Sequence, residues 1–108
     1  MLSLDGGGSA RKGSTSVLTR TRLFGGRTRV TFRLAADQPV GTVSVVGDFN
    51  GWQPGAAELV PRRNGTRTVT LTFPPGEHRF RYLATGGIWF DDDTADRIDP
   101  QGSLLRLG

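Results

Sequence analysis

From residue 28 onward, apolar and polar side chains alternate with a period of two. In TRVTFRL (28–34), Val30, Phe32 and Leu34 alternate with Arg29, Thr31 and Arg33, as a half-buried strand requires. TVSVVG (42–47) repeats the pattern with Val43 and Val45 on one face. TRTVTLTF (66–73) is the clearest case, with Val69, Leu71 and Phe73 inward and Thr68, Thr70 and Thr72 outward. PPGE (74–77) reads as a turn, because Pro fixes φ and Gly tolerates a positive one. HRFRYLAT (78–85) then places Phe80 and Tyr82 inward and Arg79, Arg81 and Leu83 outward. Gly86-Gly87 has the form of a two-residue hairpin turn leading into IWF (88–90), and SLLRL (103–107) is a last short strand. Nowhere does an amphipathic period of 3.6 persist beyond a turn or two.

Short strands at this spacing predict an all-β chain, an immunoglobulin-like β-sandwich. The chain has no cysteine, so it lacks the disulfide-and-tryptophan pattern of antibody domains, and disulfides and thiolate metal sites are excluded. Residues 28–108 read as the domain. Residues 17–27, VLTRTRLFGGR, are ambiguous and read as a basic, partly ordered leader. Residues 1–16, rich in Gly and Ser and without hydrophobic periodicity, read as a disordered tail. Neither a signal peptide nor a membrane span is expected, and a cytoplasmic location is the default.

The net charge of +4 does not extend evenly along the chain. Residues 1–33 hold seven basic groups and one acidic group, whereas residues 34–108 hold seven basic and nine acidic, a net of −2. The basicity therefore belongs to the leader. Its cations suit phosphate contacts, but no aromatic residue is interleaved before Phe24, so a nucleic-acid partner is not expected. A solvated, solubilising segment is the plainer account.

Catalytic chemistry is missing. His78 is the single histidine, no G-x-S-x-G or phosphate-cradling loop occurs, and no enzyme activity, cofactor or metal is expected. The acidic run DDDTADRID (91–99) fails as an EF-hand begun at Asp91, since Asp96 and Gly102 stand where Gly and Glu are needed. It reads as a solvated loop whose Asp side chains bond nearby backbone.

What remains is an oddity. VVGDFNGWQP (45–54) breaks from valines into turn-formers and then presents Trp52, while a second tryptophan, Trp89, follows the Gly86-Gly87 turn. Each indole either plugs one end of the core or forms, with the outward Arg81, an exposed platform. Aromatic faces suit the apolar face of a pyranose ring, and guanidinium N–H groups suit its hydroxyls.

Taken together, VSVVGDFNGWQP, G-T-R-x-V-T-L, PPGEHRFRYL, GGIWFDDD and D-P-Q-G-S-L resemble carbohydrate-binding module family 48, the isoamylase early-set domain. Within it, the chain is similar to the glycogen-binding domain of AMP-activated protein kinase β subunits, over about residues 28–107. The resemblance implies an immunoglobulin-like sandwich that binds α-1,4-linked glucans of glycogen or starch type. It implies that Trp52 and Trp89 stack on glucose rings and that Arg81 hydrogen-bonds sugar hydroxyls. Ser103 keeps a hydroxyl position of the last strand, and Asn50 belongs to the supporting F-N-x-W turn. Leu105 stands where binding members carry Asn, and the hairpin before Trp89 is one residue longer. Some early-set domains serve as packing modules, so the alternative is a stand-alone interaction module that has lost glycan binding and binds a protein partner.

Overall fold

The computed structural model describes residues 16–108. Nine strands form two antiparallel sheets packed as a sandwich: β1 (Val17–Arg22), β2 (Thr28–Ala35), β3 (Val43–Gly47), β4 (Val60–Pro61), β5 (Thr66–Phe73), β6 (Gly76–Ala84), β7 (Ile88–Phe90), β8 (Arg97–Asp99) and β9 (Gly102–Leu107). The first sheet runs β1-β2-β5-β4; the second runs β3-β6-β9-β8, with β7 also paired to β6. The alternating rows face each other across the gap. Val30, Phe32 and Leu34 of β2 and Phe73 of β5 meet Val43, Val45, Phe80, Tyr82 and Leu105 from the second sheet. Phe32 sits at the centre, edge-on to Phe80 at 5.1 Å, Phe73 at 6.3 Å and Tyr82 at 6.5 Å between ring centroids. Burying each such side chain contributes roughly 1.5–3 kcal/mol, so this row carries most of the favourable energy of a small domain.

Three strands escape a periodicity reading. β4 and β8 span two and three residues, too few to show alternation. β1 lies in the segment read as leader, where it pairs with β2 over six residues from Val17↔Arg33 to Arg22↔Thr28. Leu18 packs against the core, and the Arg20 guanidinium reaches Asp96 at 3.1 Å. The tail reading of residues 1–16 lies outside the described residues except at Ser16, which is buried and donates to Asp92 at 3.1 Å.

Two buried polar groups anchor the loops. Arg67 follows the inward row of β5, opposite Leu34, and is 2% exposed. Its guanidinium donates to the carbonyls of Pro39 (2.6 Å) and Gly41 (2.7 Å), which fastens the β2–β3 loop. Burial lowers its pKa, against the opposing pull of the Asp37 carboxylate.

The second group overturns part of the sequence reading. Asp92, in the run read as a solvated loop, is fully buried. One carboxylate oxygen accepts from the Tyr82 hydroxyl at 2.5 Å; the other accepts from Ser16 and from the Thr94 amide (2.8 Å) and hydroxyl (2.5 Å). The cause is parity: Phe90 faces Tyr82 on the core side, and two residues further the chain points inward again. Burial first, then the neighbouring Asp92 charge and hydrogen bond, pushes the Tyr82 phenol well above its ordinary value. Asp96 and Asp99 stay nearer the surface. Partial burial opposes ionisation of Asp96, but the Arg106 amide and the Arg20 side chain outweigh it and hold the carboxyl below its ordinary value. The hydrogen bond from Arg79 does the same for Asp99, helped by the Gln101 amide.

Two outcomes are expected from these contacts. Tyr82→Phe leaves a buried carboxylate short of one donor and lowers stability by about 1.5–3 kcal/mol, the range for hydrogen bonds to charged groups. Urea unfolding reads this as a lower midpoint at unchanged slope; an unchanged midpoint contradicts it. The second concerns acid. Asp96 and Asp99 are more acidic folded than unfolded, so their stabilisation is complete above the ordinary carboxylate value of about 3.8 and is lost as pH falls through the lowered folded values. Urea midpoints taken from pH 6 to pH 2 fall along this limb, and Asp99→Asn flattens the fall; identical limbs for variant and wild type contradict the assignment.

Candidate binding face

The outer face of the second sheet carries two of the singled-out residues, Arg81 and Trp89. Phe80 and Tyr82 point into the core, so Arg79, Arg81 and Leu83 of β6 point out. The β6–β7 register sets Trp89 opposite Leu83, and therefore on the same outer face as Arg81. The hairpin differs from the two-residue turn expected. Ala84 faces Ile88 across three residues, Thr85, Gly86 and Gly87, and both glycines have positive φ (87° and 75°). The extra residue is absorbed in the turn, so Trp89 keeps its side of the sheet.

Trp52 reaches the surface by a tightly held turn. Gly47 ends β3 with no room for a side chain, since an added Cβ would lie 2.2 Å from the Arg79 carbonyl oxygen. A single 3₁₀ turn follows over Asp48–Asn50. Phe49 swings inward and meets Phe73 edge-on at 4.8 Å. Asn50 ties the turn down from both ends of its amide: the oxygen accepts from the Gly47 amide (3.0 Å) and the nitrogen donates to the Val45 carbonyl (3.1 Å). The Asp48 carboxylate accepts from the Arg79 amide at 3.1 Å. Gly51 and Trp52 then both adopt left-handed conformations, with φ of 65° and 58°. For a bulky residue this costs about 1–2 kcal/mol, and the Trp52 amide bond to the Gly47 carbonyl (2.8 Å) helps to hold it.

Neither indole plugs the core. Trp52 is 39% exposed and Trp89 47%, while Phe49 and Phe90 pack against the core cluster in their stead. Phe90 lies 5.1 Å from Tyr82.

Arg81 is oriented before any ligand arrives. One terminal nitrogen donates to the Pro100 carbonyl at 2.7 Å, and Nε lies 3.5 Å from Asp91. A guanidinium has five N–H donors, so several remain for a ligand. Asp91 is itself held by the Ser103 hydroxyl at 2.8 Å. Ser103 therefore needs a correction as a sugar contact. It is completely buried, and its oxygen also accepts from the Asp92 amide at 3.0 Å, so it acts beneath the surface by placing Asp91. Leu105 likewise faces the core and not this outer surface. Asp91 and Pro100 are positioning groups that sequence reasoning overlooked. For Asp91, alternation was the available signal, since it stands two residues past Trp89; nothing in the sequence marks a carbonyl at Pro100. Among the described residues no group of three or more metal-ligating side chains occurs. His78 stands apart, its ring bonded to the Pro74 carbonyl at 3.0 Å.

Comparison with known proteins adds two findings. Over 65 residues, 59% of its length, the chain is 34% identical to the SNF1 protein kinase subunit beta-3 of Saccharomyces cerevisiae (strain ATCC 204508 / S288c). That alignment spans 16% of the yeast protein, so the chain corresponds to a small part of it. Residues 29–107, from β2 through β9, match the family described as the glycogen recognition site of AMP-activated protein kinase, and the chain belongs to that family.

Proposed function

We propose that this domain is a non-catalytic binding module for α-1,4-linked glucans of the glycogen or starch type, contacted by Trp52, Arg81 and Trp89. The observation that carries the reading is two exposed indoles, of which Trp89 shares the outer face of the second sheet with an arginine already held in place. An exposed indole forgoes the burial that large aromatics usually obtain, and Trp52 is also held in an unfavourable backbone conformation. A pyranose ring stacked on the indole recovers the apolar contact. Arg81 supplies donors to ring hydroxyls, and because Asp91 and Pro100 restrain it, little side-chain freedom is lost on binding. Asn50 supports Trp52 from below and makes no sugar contact in this scheme. Affinity is modest, since water already satisfies the sugar hydroxyls before binding.

A second reading has support of its own. The yeast relative is a protein kinase subunit, and among the described residues no strand pairs with the β4 side of β5 beyond Thr68, where a protein partner could add one. The two readings use different parts of the molecule.

Affinity electrophoresis in glycogen-containing gels separates them. The wild type should be retarded, and Trp52→Ala and Trp89→Ala should each weaken binding by at least about tenfold, or ~1.4 kcal/mol. Free migration of the wild type, or retardation of both variants equal to that of the wild type, rejects the first reading. A stoichiometric partner that co-purifies and is indifferent to maltoheptaose favours the second reading.

A further inference from the structure

Beside Trp89 the same face continues into a groove that the three contact residues leave unused. It is an open cavity of about 330 Å³, lined by Thr42, Ser44, Pro54, Glu58, Leu83 and Thr85 among others. Its position follows from the register. Trp89 faces Leu83, Leu83 faces Ser44, and Ser44 bridges to Glu58 in the segment running along the far edge of β3. Ala57 and Leu59, on either side of Glu58, are buried and bond backbone to backbone with β3, which turns Glu58 outward. Four neighbouring chain segments thus present one row of side chains: indole, isobutyl, hydroxyl, carboxylate. At 4.7–4.9 Å between strands the row is about 14 Å long.

We infer that this groove is a second glucan subsite, in which a chain stacked on Trp89 continues across Leu83 and donates its hydroxyls to Glu58. The inference rests on the glucan-binding reading above and names residues which that reading does not use. The chemistry matches the chain in order. Leu83 is half-buried and offers an apolar floor to a sugar ring. The Thr42 and Thr85 hydroxyls bond each other at 3.2 Å and form a polar rim. Among the described residues no side-chain hydrogen bond or ion pair engages Glu58, so its carboxylate is available as an acceptor. Hydrogen bonds to an ionised acceptor are stronger than neutral ones, and hydroxyl-rich ligands supply donors wherever the ring lies. Protein partners are less well matched, because hydroxyls and a carboxylate form half of the lining and Leu83 pairs with an indole already exposed.

Chain length is the discriminating variable. A short oligosaccharide fills the tryptophan site alone, whereas a longer one also reaches Glu58. Amide NMR titrations with maltotriose and maltoheptaose, on the wild type, Glu58→Ala and Leu83→Ser, test this directly. With maltoheptaose, shifts should spread from Trp52, Arg81 and Trp89 to Ser44, Leu83 and Glu58. Glu58→Ala should lose about tenfold or more in maltoheptaose affinity, the contribution of one charge-assisted hydrogen bond, and change maltotriose affinity less than about twofold. Glu58 is exposed, so its variant retains the fold, and Leu83→Ser provides an independent loss of the apolar floor. Shifts confined to the tryptophans, or equal affinities of wild type and both variants for the long sugar, overturn the subsite while leaving the glucan module standing. Absence of shifts at either indole with either sugar removes both.

Discussion

Taking a carboxylate out of water costs several kcal/mol unless donors surround it, and Asp92 is kept inside this domain only because donors do. The Tyr82 phenol comes from β6, the Ser103 hydroxyl that receives the Asp92 amide comes from β9, and Ser16 comes from the chain just before β1. One residue, through its carboxylate and its amide, thereby ties three separate stretches of sequence to the loop after β7. The loop in turn aims two charges outward. Asp91 is set beside Arg81, and Asp96 is set beside Arg20 of β1. The loop that Asp92 anchors thus links the candidate face to the docking of β1.

Rigidity of this kind would matter for the glucan proposed as ligand. Little net energy is available when sugar hydroxyls exchange water for protein, so freedom lost on binding decides whether affinity is measurable. The turn from Gly47 to Trp52 and the restraints on Arg81 have already removed that freedom during folding. The left-handed backbone at Trp52 is the cost of having an indole stand clear of the core, offset by the packing of Phe49 just before it.

Alternation made β2, β3, β5, β6 and β9 legible in the sequence, because each is long enough to show one face to the core. It also gave the outward side of Arg81. Other features depended on partners far along the chain. β8 and β4 are too short to alternate, and their existence follows from the neighbours that they pair with. The burial of Asp92 depends on Tyr82, ten residues earlier and across a hairpin, and the burial of Ser103 depends on the acidic loop laid over it. Trp52 and Trp89 were ambiguous for a related reason: whether an aromatic plugs a core is settled by what else is available to fill it. Here Phe49 and Phe90, each adjacent or nearly adjacent to a tryptophan, pack against that core.

β1 has a consequence for where such a domain can be cut. The stretch recognisable as a family member starts at residue 29, whereas six residues of paired strand lie before it. Without them, the eight residues of β2 become the border of the first sheet, and a row of amide and carbonyl groups loses its partners. Asp92 and Asp96 lose Ser16 and Arg20 in the same step. A fragment trimmed to the recognisable boundary would keep every proposed sugar contact and yet carry a long, bare strand edge, the kind of surface through which β proteins pair with further copies of themselves.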